Sequence, residues 1–236
     1  MSTHLLWPWL LSLFLLVLLG LFGPGRYVLA EGDSEAPDDD TLVRQAQAGD
    51  RHAFNRLVGR HQTLMYNIAL RVLGDSDRAA DATQDAFVSA YRKIDQYSGG
   101  HFRAWMARIV KNQCYDLIRY EKRRPATSLE ALLLASSGGA ESRPDPAGEH
   151  SAPERPDDAT LRHEVASWLQ EVILHLPIDQ RLTLVMSDVH GYSYEEIAAA
   201  TEVELGTVKS RLSRARRRVR ELLQEQSELL PEQYRF

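Results

Sequence analysis

The feature that most restricts the fold of this sequence is the recurrence of apolar residues at steps of three and four. Between Asp50 and Gly74 the residues that follow this spacing are Phe54, Leu57, Val58, Leu64, Met65, Ile68 and Val72. The spacing places them on one face of an amphipathic α-helix, and the flanking aspartate and glycine are typical helix caps. No segment from Asp38 onward alternates apolar and polar residues as a β-strand does. The sequence therefore predicts an all-α fold.

Composition divides the helical part into two units. Helical periodicity covers residues 38–125, where Pro125 stops the last of four predicted helices. Residues 126–160 contain a stretch rich in Ser, Gly, Pro and acidic residues that has no periodicity, which is typical of a flexible linker. Periodicity returns over residues 161–225. We expect two small helical bundles joined by a flexible linker.

The C-terminal bundle contains the pattern of a helix-turn-helix. Ser193-Tyr-Glu-Glu196 matches a capping box, which opens a short helix that continues through Ala200. A tight turn then leads into a longer basic helix from Gly206 to Arg220. A short helix, a turn and a longer basic helix are the parts of a DNA-binding helix-turn-helix.

The basic helix is predicted to contact DNA although the whole chain has a net charge of −5. Lys209 to Arg220 contains seven Lys or Arg residues and no acid, and local charge sets the local field. Guanidinium groups suit guanine edges and phosphates, and hydroxyls suit bases or backbone. The predicted DNA contacts are Thr207, Lys209, Ser210, Arg211, Arg214, Arg217 and Arg218. Arg216 and Arg220 flank this face and are expected to contact phosphates.

Two further helical faces carry charged residues, positive on one face and negative on the other. The fourth helix presents Arg108, Lys111, Asn112, Tyr115 and Arg119, and an aromatic ring among cations suits unpaired bases. The third helix presents Asp81, Gln84 and Asp85. This third-helix face is either a solvated surface or, because phosphate repels carboxylates, a surface whose partner is a protein.

The sequence offers no constellation for catalysis. Cys114 is the single cysteine, and its place on an apolar helix face predicts a buried core residue. His101, His163, His175 and His190 are scattered and are expected to be surface or capping side chains. No metal-ligand spacing, activated nucleophile or phosphate-binding loop is present in the sequence. We expect no enzyme activity, catalytic residue, metal, cofactor or small-molecule substrate.

Residues 1–30 form an apolar segment that fits this picture poorly. Leu5 to Phe22 has the length of a bilayer span, interrupted by Pro8, Ser12 and Gly20. Three interpretations stay open: a membrane anchor that leaves the rest of the chain in the cytoplasm, a signal peptide that ends near Ala30, and a natural start downstream of this segment.

Several motifs resemble the conserved regions of bacterial RNA polymerase sigma factors. The second region is matched by Arg78–Phe87 (RAADATQDAF), Phe102–Trp105 and Asn112–Arg119. The fourth region is matched by Leu176–Pro177, Gly191–Ala198 and Gly206–Arg216. A chain with only these two regions and a linker resembles the extracytoplasmic-function (ECF) class.

The resemblance implies a role for each face. Asp81, Gln84 and Asp85 match positions that dock on the clamp helices of the polymerase largest subunit. The helix from Arg108 to Arg119, with the loop before it, matches the part that captures and melts the −10 promoter element. The helix-turn-helix matches the reader of the −35 element. Core RNA polymerase, promoter DNA and an anti-sigma factor are the implied partners, in the cytoplasm.

Two other hypotheses compete with a sigma factor. A one-component regulator would sense a ligand with its N-terminal bundle and bind an operator as a dimer. A membrane-tethered signalling protein would place its basic faces on anionic lipid, with membrane contact through Leu5–Phe22. Two DNA-suited faces joined by a linker favour the sigma hypothesis, since they suit two promoter elements a fixed distance apart.

Overall fold

The computed structural model describes residues 37–123 and 156–225. Within these two ranges every regular element is a helix, which confirms the predicted all-α class. None of the helices described there is long and apolar enough to cross a membrane. Residues 1–30 and most of the predicted linker lie outside the described ranges, and so does the expected membrane contact of Leu5–Phe22.

The N-terminal domain consists of four helices and a short 3₁₀ turn. The elements are α1 (Asp39–Gln47), α2 (Arg51–Leu73), α3 (Ser76–Lys93), the 3₁₀ turn (Ile94–Gln96) and α4 (Phe102–Arg123). The side chains of Asp38, Asp50 and Asp75 each accept a backbone N–H at 2.8 Å at the start of a helix. These caps satisfy amides that a helix start leaves unpaired, and Asp38 and Asp50 begin helices where the sequence predicts them.

The C-terminal domain also has four helices. They are α5 (Pro156–Leu174), α6 (Ile178–Leu184) with a π-helical turn (Val185–Val189), α7 (Tyr194–Thr201) and α8 (Leu205–Glu225). Helix α5 begins inside the segment predicted as linker. Its first residue is proline, which a first turn accepts.

The two domains share a hydrophobic core. Leu57, Ile68 and Met106 are completely buried in the N-terminal domain, and the same apolar cluster continues through Leu182 and Ile197 of the C-terminal domain. A second cluster joins α5, α6 and α8. The sequence predicts two bundles but not their contact, and the structure packs one directly on the other.

The end of α2 lies against the C-terminal domain with little clearance. Gly74 has φ +74°, and a Cβ atom at this residue would approach the side chain of Leu174 to 2.5 Å. Glycine is therefore required here both by the backbone conformation and by the space. Arg71 and Gln170 exchange two hydrogen bonds beside it, of 3.0 and 3.2 Å.

His190 is the C-cap residue of the π-helical turn, in line with the expected surface or capping histidine, but its imidazole is buried. Its Nε2 atom is sealed from solvent and has no hydrogen-bond partner. Burial, together with the positive charge of Arg71, lowers the pKa of His190 to about 4. The imidazole is therefore neutral in the folded protein at neutral pH.

This depressed pKa predicts a loss of stability in mild acid. The unfolded chain takes up a proton at His190 below about pH 6.5 whereas the folded chain does not until about pH 4. The stabilisation is thus present above pH 6.5 and is lost as the pH falls toward 4. Between pH 7.5 and pH 5, the free energy of unfolding should fall by about 2 kcal/mol more in the natural chain than in His190→Leu. Urea denaturation followed by circular dichroism measures both, and equal pH dependence would contradict the prediction.

Candidate nucleic-acid interface

Helix α8 presents one apolar and one cationic face, as its sequence predicts. Val208, Leu212, Ala215 and Val219 are buried against the rest of the C-terminal domain. The predicted contacts that lie exposed are Lys209, Ser210, Arg214, Arg217 and Arg218. Thr207 and Arg211 are only partly exposed. The exposed cations therefore lie along the solvent side of one regular helix, with the spacing that a DNA groove can accept.

The preceding helix and turn hold α8 in place. Ser193 and Glu196 form the predicted capping box at the start of α7, with hydrogen bonds of 3.1 and 2.9 Å. Residues 202–204 then connect α7 to α8. Glu202 has φ 59°, and no other residue except glycine has a positive φ in the described part of the chain. Two helices joined by this short turn form a helix-turn-helix.

Arg216 does not face outward with the other arginines. Its Nε and Nη2 atoms donate to both carboxylate oxygens of Asp188, at 2.9 and 2.7 Å. The Asp188 side chain is 3% exposed, and this pairing raises the pKa of Arg216. The expected phosphate contact of Arg216 is therefore corrected to a structural ion pair, since helical spacing separates inside from outside but does not reveal a partner on another helix.

Helix α4 carries the second predicted DNA surface beside an open cavity. The cavity has a volume of about 460 Å³, and its wall includes Ser89, Lys93, Lys111, Asn112, Tyr115 and Arg119. Asn112 and Arg119 are exposed. The cavity is bounded by cations, an amide and a phenol ring, which are the groups that bind phosphate and stack on bases. The carboxylate of Asp116 also lines it and lies 3.7 Å from Arg119.

Other members of this surface are engaged within the chain. Lys111 is buried, and it pairs with Glu202 at 3.4 Å, as Arg108 does at 2.9 Å. The phenol of Tyr115 donates to Asp179 at 2.5 Å, and Arg211 of α8 donates to the same carboxylate at 3.1 Å. Burial and the bond to Asp179 raise the pKa of Tyr115. The prediction of a fully exposed stripe on α4 is therefore wrong for Lys111 and Tyr115 in this arrangement.

The acidic surface of α3 lies open to solvent. Asp81, Gln84 and Asp85 are all exposed, as the sequence predicts. Val88 and Tyr91 are each 44% exposed and lie on the same helix. Helical spacing places Tyr91 near the buried residues Phe87 and Ile94, so its exposure does not follow from the sequence. The surface thus combines carboxylates with apolar groups, which is a composition suited to a protein partner.

The remaining candidates for chemistry are metal-binding side chains and the single cysteine. Residues 37–123 and 156–225 contain no group of three side chains that could hold a metal ion. Cys114 is buried as predicted, and burial raises the pKa of its thiol to about 12. Charged surfaces are therefore the main candidates for function in the described part of the chain.

Comparison with known proteins agrees with these surfaces. The family model described as Sigma-70 region 2 matches residues 57–124, and that described as Sigma-70, region 4 matches residues 166–219. The ECF RNA polymerase sigma-E factor of Escherichia coli (strain K12) is 35% identical over 188 residues, which cover 78% of this chain and 93% of that protein. The chain belongs to the ECF family of RNA polymerase sigma factors. It is therefore a DNA-recognition subunit of RNA polymerase that acts in promoter-specific transcription initiation, and it is not an enzyme.

Two solved structures are similar over both domains of this sigma factor. One is CnrH in complex with the cytosolic domain of CnrY, with 26% identity, a TM-score of 0.56, and coverage of 79% of this chain and 97% of that one. The other is the sigma factor RpoE of Bartonella quintana in complex with the anti-sigma factor NepR, with 27% identity, a TM-score of 0.52, and coverage of 72% and 96%.

The sequence did not predict which carboxylates pair with the polar side chains of α4 and α8. Asp179, Asp188 and Glu202 carry no local signal, because each pairs with a residue far away in the chain. For Glu202, the one sequence feature that sets it apart is its place in the short turn between α7 and α8.

The pair of Arg216 and Asp188 separates a structural arginine from a DNA-facing one. Arg216→Ala should lower the free energy of unfolding by about 2 kcal/mol, because it leaves a buried carboxylate without its partner. Arg214→Ala, on the exposed side of the same helix, should change it by no more than about 0.5 kcal/mol. Urea denaturation of both variants tests this contrast, and equal effects would show that Asp188 does not depend on Arg216.

Proposed function

We propose that the three surfaces of this sigma factor divide promoter recognition and polymerase binding among them. In the described ranges, exposed cations dominate the outer face of α8 and exposed carboxylates dominate the outer face of α3, while the cavity side of α4 combines charged groups of both signs with Asn112 and Tyr115. This separation of charge carries the proposal, because DNA and protein partners then meet surfaces of different sign.

Helix α8 is the proposed reader of the −35 element. Arg214 holds Ser210 through two hydrogen bonds of 3.1 and 3.2 Å, so its guanidinium lies along the solvent face. Lys209, Arg217 and Arg218 extend the cationic face along the helix. The ion pairs of Arg217 and Arg218 with Glu221 are exposed and therefore weak, which leaves both arginines able to exchange partners for phosphate. Thr207 and Arg211 complete the proposed contacts.

Helix α4 is the proposed surface for the −10 element. Asn112 can hydrogen-bond a base edge, Tyr115 can stack on an unpaired base, and Arg119 can hold phosphate. These three side chains meet at the cavity of about 460 Å³. Arg108 and Lys111 add positive charge at its border. Such a cavity accepts a base only when the base has left the duplex, which fits the opening of a promoter.

The exposed surface of α3 is the proposed contact with core polymerase. Asp81, Gln84 and Asp85 supply the charged part, and Val88 and Tyr91 supply apolar area that water leaves when a protein binds. The resemblance to the second sigma region directs this surface to the clamp helices of the largest subunit.

An anti-sigma factor is the further proposed partner. The similar RpoE of Bartonella quintana was solved with the anti-sigma factor NepR, and the similarity covers 72% of this chain, across both domains. Polymerase and promoter DNA also fix the place of action, which we infer to be the cytoplasm. The comparisons give no support to a membrane contact.

The polymerase surface predicts a loss of assembly on charge reversal. Asp85→Arg should weaken binding to core RNA polymerase by roughly tenfold or more, because it places a cation where a carboxylate meets the partner. Glu171→Arg makes the same change of charge at an exposed position of α5 and should leave binding unchanged. Titration of labelled sigma factor with core polymerase measures both. Equal losses, or no loss for Asp85→Arg, would contradict the assignment.

The recognition helix predicts an effect limited to the upstream promoter element. Arg214→Ala should weaken holoenzyme binding to a full promoter roughly tenfold, since one DNA contact is lost. It should not affect binding to a fork-junction fragment that lacks the −35 element. Arg56→Ala, which removes an exposed cation from α2, is the matched control.

If Arg214→Ala acts equally on both DNA fragments, α8 does not read the −35 element. If the chain binds a duplex operator alone and yields no promoter-specific transcript with polymerase, the regulator hypothesis replaces these assignments.

A further inference from the structure

We propose that a base-pair edge of the −35 element lies directly against the backbone of α8 at Gly206, so that this glycine sets how deeply the recognition helix enters the DNA groove. The inference rests on the proposed role of α8 and goes beyond it, because it assigns a function to a residue without a side chain. Gly206 is not required by the fold, it faces outward, and exposed cations lie beside it.

The fold of the protein does not require a glycine at position 206. Glycines that the backbone needs have a positive φ, as Gly74 does, and Gly206 is not among them. A Cβ atom at Gly206 would have no neighbour within 4 Å beyond its own turn of the helix, in the described part of the chain. Alanine also forms helices better than glycine, because it loses less backbone freedom on folding. Folding alone would therefore accept alanine here.

Gly206 lies on the outer side of α8. It is the second residue of the helix and is exposed. Two positions along an α-helix correspond to a rotation of about 200°, so Gly206 faces away from Val208, which is completely buried. Ser210 follows one turn later on the same side and is exposed. In helix-turn-helix proteins the first residues of the second helix contact base edges in the major groove. Gly206 lies in that part of α8.

The cations beside Gly206 attract DNA to this side of the helix. Lys209 is exposed three positions later. The guanidinium of Arg214 folds back toward the start of α8, where Nε donates to the carbonyl of Ser210 at 3.2 Å and Nη2 donates to its hydroxyl at 3.1 Å. Both charges therefore lie within about one turn of Gly206, on flanks where phosphates can meet them.

The charge just before Gly206 distinguishes a base edge from a phosphate. Glu204 is exposed at the junction of the turn and α8, and its carboxylate repels phosphate. We therefore place a base-pair edge against Gly206 and the phosphates against the cations that follow.

A side chain at position 206 would occupy the space of that base-pair edge. The helix would then lie farther from the floor of the groove, and the hydrogen bonds of Ser210 and Arg214 with DNA would lengthen. Such bonds require donor–acceptor distances of about 2.7–3.2 Å, so a small displacement removes them. Affinity for the −35 element is then lost while the fold is kept.

Two substitutions test the close approach. Gly206→Ala and Gly206→Leu add increasing volume, and both new residues are good helix formers. Gly59→Ala is the matched control. Gly59 is an exposed glycine within α2 that has no positive φ, and a Cβ atom there would also have no neighbour within 4 Å.

The first measurement is binding of holoenzyme to a full promoter and to a fork-junction fragment that lacks the −35 element. Gly206→Ala should weaken binding to the full promoter roughly tenfold, and Gly206→Leu should weaken it further. Neither should change binding to the fragment. Gly59→Ala should match the natural chain on both DNAs.

The second measurement is thermal unfolding of the free chain. Gly206→Ala and Gly59→Ala should leave the midpoint unchanged or raise it, since both replace a helical glycine with open space around it. A lower midpoint for Gly206→Ala would overturn the proposal, because the fold would then need the glycine. So would natural affinity of Gly206→Ala for the full promoter, or an equal loss on the fragment without the −35 element.

Arg214→Ala separates this inference from the proposed function. If Arg214→Ala weakens binding to the full promoter and the Gly206 variants do not, the close approach is wrong and α8 remains the reader. If Arg214→Ala and both Gly206 variants bind normally, the proposed role of α8 is wrong as well.

Discussion

The guanidinium group of Arg181 binds the ends of helices from both domains of this protein. It donates to the carbonyl of Val72 at the end of α2, and to those of Leu174 and Leu176 around the end of α5. The last carbonyls of a helix lack partners within the helix and carry its negative dipole end, so a cation suits them. Arg181 thus caps one helix from each domain with the same charge.

This junction determines where the rest of the C-terminal domain lies. Leu174 packs against Gly74 beside it, so the end of α5 cannot move away from α2 without a loss of packing. With that point fixed, α7 lies along α4, and Glu196 and Glu202 meet the cations of α4. The electrostatic effect of the acidic residues therefore depends on where each of them lies and not on their total number. A net charge of −5 is compatible with a strongly cationic outer face of α8, since acidic residues cap helices, lie on the exposed face of α3 or pair with cations of α4.

The sequence was sufficient wherever the cause of structure lies within one or two helical turns. Caps at Asp38 and Asp50, the capping box at Ser193 and the buried face of α8 all depend on residues three or four positions apart. The all-α fold followed from such local patterns, whereas the sigma family followed from the resemblance of short motifs to known conserved regions. The surfaces of α3 and α8 were also predictable, because exposure follows the same period.

The sequence was insufficient wherever the partner is distant along the chain. Tyr115 and Asp179 are 64 positions apart, and Arg103 and Glu196 are 93 positions apart. Helical spacing predicted that Lys111 would be exposed, and it had no means to show that another domain covers it. The same reason explains the error at Arg216 and the unpredicted burial of His190, which are surrounded by residues of other helices.

The packing of the two domains also determines which charged groups a partner can meet without a conformational change. Asp81, Gln84 and Asp85 are exposed, whereas Lys111, Tyr115 and Arg211 are engaged with Glu202 or Asp179. The carboxylates of α3 can therefore meet a partner in the structure as it stands, whereas those residues of α4 and α8 must first exchange their carboxylate partners.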